Sequence, residues 1–500
     1  MMKTLVYKIL RAAFVMPFTT GLVKERRNGG FSVHDGSIAG VVLLTTAVII
    51  IFETIYVLSV ASSKLLMIGL LCIGFAALAF CSFMAWYHPQ WRVLRTVAPS
   101  DKLKLKFLLL FCLGNITHQA LTLAMHIECK IYQDVLQIAS YFGITWLFHI
   151  LQTTFIYYFS RFRFVNFLSL YYSLVILFIT NISMWTQQSI ASYKASTIHL
   201  DLNVSSDIAS PCDNETTLGS VTVLLKPYLE PVLLEYCLLS LIFISEMWPK
   251  EIVHNDRTEI REAFSTEYEA STDSQMLLSG ESISYQHVRS SWNRASIITL
   301  TIGAIYSASF IIIQCISIYI PETRPFLSDA ALSYFFLGNC VKTALLIKCF
   351  YAFSSQLQPT VRPRKLMNLN HFIILASSVA TCGYYSVEII TLTRLSDTFD
   401  EIKYIVNALI RLVATILQTI FILQMKQYMK TGNSRSILSI ENTFLFLSCV
   451  NFGIWFSYTF VTPQYKYKLN KTTRFEHSWF PFVIFYHFEC FISFYKLFRQ

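Results

Sequence analysis

Apolar residues in this chain gather in long blocks separated by shorter polar stretches. A hydrocarbon core takes about 20 apolar residues of helix to cross. Twelve blocks approach that length: 36–60, 65–87, 103–126, 134–160, 164–186, 226–248, 294–320, 328–353, 366–393, 400–426, 438–462 and 478–498. The opening stretch, MMKTLVYKILRAAFVMPF, is amphipathic and broken by Lys8 and Arg11. It reads as a cytoplasmic arm lying on the membrane, not as a cleavable signal peptide.

The blocks repeat one another. ILQTTFI at 150–156 returns as ILQTIFI at 416–422, an offset of 266 (416 − 150). Asn181-Ile-Ser-Met-Trp185 returns as Asn451-Phe-Gly-Ile-Trp455, offset 270 (451 − 181). Pro231 and Tyr236 match Pro481 and Tyr486, both offset by 250 (481 − 231). Six helices duplicated in parallel explain all three matches, because each half then keeps the same orientation. The expected fold is an all-α membrane protein of twelve transmembrane helices in two parallel six-helix repeats. Its parts are an arm (1–35), a first half (36–248), a polar linker (249–293) and a second half (294–500).

Composition agrees. The chain is 54% hydrophobic and 14% charged over 500 residues, too few charges to cover a soluble domain of that size. The net charge of +10 is therefore read as topology, and a nucleic-acid partner is not expected. Lys24, Arg26 and Arg27 precede span one, and Arg92, Arg95, Lys102, Lys104 and Lys106 fall between spans two and three. Later loops of that side hold Arg161, Arg163, Arg362, Arg364, Lys365, Lys430 and Arg435. The opposite loops carry three glycosylation sequons, at Asn203, Asn214 and Asn470. Both termini are thus expected in the cytoplasm. Of 12 cysteines only Cys129 and Cys212 lie outside the spans, on the outer side, where a disulfide between them is possible. No CxxC pair suggests a structural zinc site, and no cofactor is expected.

An ionisable group at bilayer depth is costly unless paired or facing water. Glu235 lies about nine residues into span six, near mid-bilayer. A carboxyl that gains and loses a proton there suits a proton path; a neutral acid bonded between helices is the alternative. Glu53 and Glu388 sit in the outer thirds of spans one and nine, as pathway mouths or as side chains reaching for the interface. Asn407, Arg411 and Gln418 share one face of span ten, with Arg411 a fixed counter-charge. Lys342 in span eight is expected to meet a glutamate. His149 and Gln152 lie a turn apart in span four, and Tyr486, His487 and Glu489 crowd together in span twelve. At the outer edge of span three, His126 and Glu128 suit pH sensing or a loose divalent site. The chain has no GxxxxGK[ST], GxSxG or HExxH motif, and no catalytic set, so an enzyme is not expected.

The ordered set FHILQTTFI, ITNISMW, PVLLEYCLLSLIFISEMW, ILQTIFI, CVNFGIWF and WFPFVIFYHFECF resembles the otopetrins, twelve-helix proton-selective channels. The resemblance implies a plasma-membrane homodimer whose four six-helix half-domains surround a central space filled by lipid, a sterol among the possibilities. It implies proton influx on extracellular acidification and inhibition by Zn2+. By position, Glu235 matches the family's intramembrane glutamate; His487, Glu489, Glu53, Glu388 and His149 are further candidates for a proton path from the residues themselves, outside the resemblance. Gln152, Gln418 and Tyr486 match polar residues near the packing of the halves, with Asn181, Asn451, Asn407 and Arg411 beside them. The family usually has Tyr-Arg where this chain has Tyr486-His487, and Ile176 occupies a region where the family often has a histidine. Conduction or pH dependence is expected to differ accordingly. A secondary transporter for a small solute and a non-conducting sensory protein are the competing readings.

Overall fold

The computed structural model describes residues 60–88, 92–94, 99–128, 135–164, 168–201, 217–247, 294–319, 324–356, 369–395, 399–425, 435–461 and 474–499, with isolated positions at 50 and 54. Eleven long helices lie in these stretches: α1 (Val60–Tyr87), α2 (Pro99–Glu128), α3 (Val135–Phe159), α4 (Leu168–Asp201), α5 (Thr217–Met247), α6 (Arg294–Tyr319), α7 (Arg324–Gln356), α8 (Leu369–Leu395), α9 (Phe399–Met425), α10 (Arg435–Phe460) and α11 (Arg474–Arg499). Each overlaps one of the apolar blocks from the second to the twelfth. Among the described residues, eight stretches are long and apolar enough to cross a membrane. The arm, nearly all of the first block and the linker lie outside the described residues.

By contact the chain divides into two compact units. One comprises Met1–Thr96, Gly143–Gln187 and Phe243–Tyr285; the other comprises Val97–Phe142, Gln188–Ile242 and Gln286–Gln500. In the first, Gly74 of α1 lets two neighbours come close: a Cβ there would stand 2.8 Å from Thr180 Oγ1 and 3.1 Å from Phe148. Two short strands, β1 (Arg92–Leu94) and β2 (Phe162–Phe164), pair antiparallel with Val93 opposite Arg163. The buried Phe164 is stacked on Phe155, which anchors the ribbon to α3.

In the second unit the last six helices close a ring in the order α6–α7–α9–α8–α11–α10, and α2 docks on α11. The sequence of α9 shows why the ring forms. Ile402, Val406, Leu409, Val413, Ile416 and Ile420 recur every three or four residues and are exposed. Asn407, Thr415, Gln418 and Thr419 occupy the other face and are buried. A soluble helix buries its apolar stripe; this one turns it outward, as lipid favours, and encloses its polar groups. Small residues let α6 and α10 approach closely. A Cβ on Gly303 would lie 2.8 Å from that of Cys449, and one on Gly453 would lie 2.7 Å from that of Ser307. Ser307 fastens the same contact by donating to the Cys449 carbonyl at 2.8 Å. Phe421, Phe444 and Phe494 pack the end of the ring near Met425.

Candidate functional site

Glu235 stands on α5 and is 2% exposed. Trp455 of α10 donates its indole N–H to Glu235 Oε1 at 2.5 Å. The other oxygen, Oε2, is buried with no hydrogen-bond partner among the described residues. Thr459 stands within reach of this carboxyl, but its hydroxyl is committed to the Trp455 carbonyl at 2.9 Å. The Trp455 ring is held edge-on by Phe107 and packed by Phe111, Phe452 and Phe488. Close approach of α2 to α5 at Gly114, where a Cβ would meet Val232 at 2.9 Å, completes the setting.

One turn from Phe107 on α2, Lys104 meets Glu489 of α11, with Nζ 3.0 Å from each carboxylate oxygen. Both side chains are nearly out of solvent, at 9% and 2%. Lys104 is therefore not the loop charge that the sequence suggested. Nor do His487 and Glu489 form one cluster: two residues apart on a helix, their side chains point about 160° apart around the axis. His487 turns into the ring, where Nδ1 lies 3.1 Å from Asn451 Oδ1.

The ring encloses a polar network. Gln418 Nε2 donates to Asn451 Oδ1 at 3.1 Å, and Asn451 Nδ2 donates to the Leu447 carbonyl at 2.8 Å. Tyr486 donates to the Thr415 carbonyl at 2.9 Å and shares a bond with Thr419, which shares another with Ser378. Arg411 does not stand alone. Its Nη2 is 2.7 Å from Glu388, and its guanidinium lies 4.9 Å from the centre of the Tyr385 ring. Glu388 thus turns to a partner instead of reaching for the interface. Asn407 is buried in the same wall.

Lys342, 1% exposed, lines a pocket with Asn339, Tyr385, Arg411, Tyr458 and His487. The expected glutamate is missing: Lys342 makes no ion pair among the described residues, and Glu388 is held by Arg411. As the side chains stand, the pocket is too narrow for a water molecule. Two cationic side chains, Lys342 and Arg411, thus share the lining of this narrow pocket.

In the first unit, Gln152 and Asn181 exchange two hydrogen bonds, each 2.9 Å. This pair closes within one unit and Gln418–Asn451 closes within the other, so each ties neighbouring helices together. His149 is wholly buried beside them and bonded to the Thr145 backbone. At the end of α2, Glu128 accepts from the Leu218 N–H at 3.1 Å and the Thr217 hydroxyl at 3.2 Å, capping α5. His126 Nδ1 instead turns back to the Thr122 carbonyl at 2.7 Å. No group of three or more metal-ligating side chains stands together among the described residues. Glu53, the sequons at Asn203, Asn214 and Asn470, and the Cys129–Cys212 pair lie outside the described residues.

These features fall where a family profile also falls: the otopetrin profile matches residues 199–488, more than half the chain. The chain belongs to the otopetrin family. No curated protein matches it. Membership makes it a multi-pass membrane protein and points, at the level of the family, to a proton channel and away from an enzyme. The otopetrin match takes in Glu235, the ring and all of its polar network up to His487, but not α1 to α3.

Sequence reasoning missed Lys104 as a partner and Thr415, Thr419 and Ser378 as network members. The threonines were legible in part: each lies on the face of α9 already marked by Gln418. Nothing in sequence joins Lys104 to Glu489.

Proposed function

We propose that this otopetrin is a proton-selective channel of the plasma membrane that conducts H+ inward on extracellular acidification. One observation carries the reading: Glu235, near mid-span, is anchored through one oxygen while the other stays free to hold a proton. A relay needs a group that can be charged or neutral without losing its place, and this geometry meets that need. Lys104–Glu489, one turn of α2 from Phe107, is a second station; the ring of α6 to α11 is closed until it rearranges. Zn2+ inhibits from the outer side, and two copies assemble around lipid, a sterol included.

The test is whole-cell current in cells expressing the chain, with the bath stepped from neutral to acidic in sodium-free solution. The expected result is an inward current whose reversal potential follows the proton gradient and which Glu235→Gln abolishes. Saturating uptake that needs a solute would favour a transporter. A flat record despite surface expression would favour a sensory protein.

A further inference from the structure

The Asn-x-x-x-Trp pattern occurs twice, and the proton-channel reading gives its tryptophans no task. The two positions are not equivalent. Glu235 plus the span-six to span-twelve offset of 250 leads to position 485, which is phenylalanine. Only one half, then, carries a carboxyl at this place, and the structure sets Trp455 against it.

An indole N–H donates and never accepts. The oxygen it faces must therefore accept in both protonation states of the acid, and the strong acceptor is a carboxylate oxygen when Glu235 is charged and the carbonyl oxygen when it is neutral. Trp455 faces Oε1. That confines the acid proton to Oε2. Rotation of the carboxyl would offer the indole the hydroxyl oxygen, a much poorer acceptor than the carbonyl, and weaken the bond. Trp455 cannot step aside either: it is 1% exposed and wedged among Phe107, Phe111, Phe452 and Phe488.

We propose that Trp455 is a positioning residue that fixes Oε1 of Glu235 as the acceptor and makes Oε2 the single oxygen that takes up and releases the mobile proton. The assignment rests on the channel reading for its purpose and on geometry for its substance. One proton enters at Oε2 and the same proton leaves from Oε2, so the group returns to its starting state without turning over.

The experiment uses the full chain in lipid vesicles, reading proton flux and the infrared carbonyl stretch of Glu235 together. That band is identified by its loss in Glu235→Gln. Trp455→Phe keeps a ring and removes the donor. The expected result is a shift of the carbonyl band to higher frequency and a fall in flux of about tenfold, the worth of one buried hydrogen bond in a barrier. An unmoved band with unchanged flux would overturn the proposal and leave Trp455 as packing. A band that shifts while no chain, wild type included, conducts would uphold the positioning role and sink the channel reading. Should Trp455→Phe not reach the membrane, thermal unfolding of two Glu235 variants gives the same answer. Glu235→Gln retains an acceptor for the indole and is expected to match the wild type, while Glu235→Met orphans the N–H and unfolds at lower temperature. Equal stability of the two variants would refute the hydrogen bond on which the proposal stands.

Discussion

Lys104 and Glu489 meet at 3.0 Å through both carboxylate oxygens although 385 residues separate them. Breaking such a pair strands a buried charge, which costs about 3–5 kcal/mol, whereas removing both partners costs far less. Lys104→Met should therefore lower the unfolding temperature sharply in detergent, and Lys104→Met with Glu489→Gln should recover most of the loss. Equal destabilisation by the single and double variants would show that the pair is not coupled.

Glycines divide into two kinds. Alanine at Gly453 meets Ser307 at a distance that Cβ atoms do not tolerate, with Ser307 Cα at 3.1 Å behind it. Overpacking of this kind costs about 1–3 kcal/mol. Gly69 and Gly143 have nothing within 4 Å, and alanine there should leave stability equal or raise it, by up to about 1 kcal/mol through helix propensity. Thermal unfolding of the three variants side by side checks the order.

Asn451 serves two neighbours, Gln418 and His487. Asn451→Leu leaves both without that partner inside the ring, at about 1–3 kcal/mol for each group left unsatisfied. Adding Gln418→Leu should cost less than its single effect, because the orphaned amide is then gone. A double-mutant cycle on unfolding temperature reads the coupling, and strict additivity would count against the network.

Glu128 caps α5, the helix that carries Glu235. Glu128→Ala should fray the first turn of α5, a loss of about 1 kcal/mol, and Glu128→Gln less. Hydrogen exchange at the Leu218 amide should be fastest in Glu128→Ala and intermediate in Glu128→Gln. Unchanged exchange in Glu128→Ala would mean that the cap contributes nothing.

How much of this was legible follows from the physics of each feature. The eleven described helices stand in the sequence as blocks of apolar residues, because a helix facing lipid must be apolar on its outer side and long enough to cross. Asn407, Arg411 and Gln418 were readable as one face, since a helix converts spacing into direction. Pairing was not. Lys104 looked like a loop charge because span three begins amid lysines, and which of Lys102, Lys104 and Lys106 turns inward depends on the docking of α2 on α11. His487 and Glu489 looked like a cluster because they are near in number, yet a helix sends them to opposite sides. Lys342 was expected to find a glutamate because a buried cation needs one; Glu388 is instead held by Arg411.

The order of helices around the ring bears on how the protein is made. α6, first of the six to leave the ribosome, finds only one of its two ring neighbours, α7, before α10 arrives. The circle cannot shut until α11, the last of these six, slides between α8 and α10. Until then Gln418, Asn451 and Lys342 sit in an open arc, with His487 and Tyr486 still to come. Chains fold from the N-terminus as they emerge, and long-range contacts form late. The last helix is therefore the keystone of the half it completes. A nascent chain stalled before it would present polar groups to lipid, which is the kind of surface that membrane quality control can recognise.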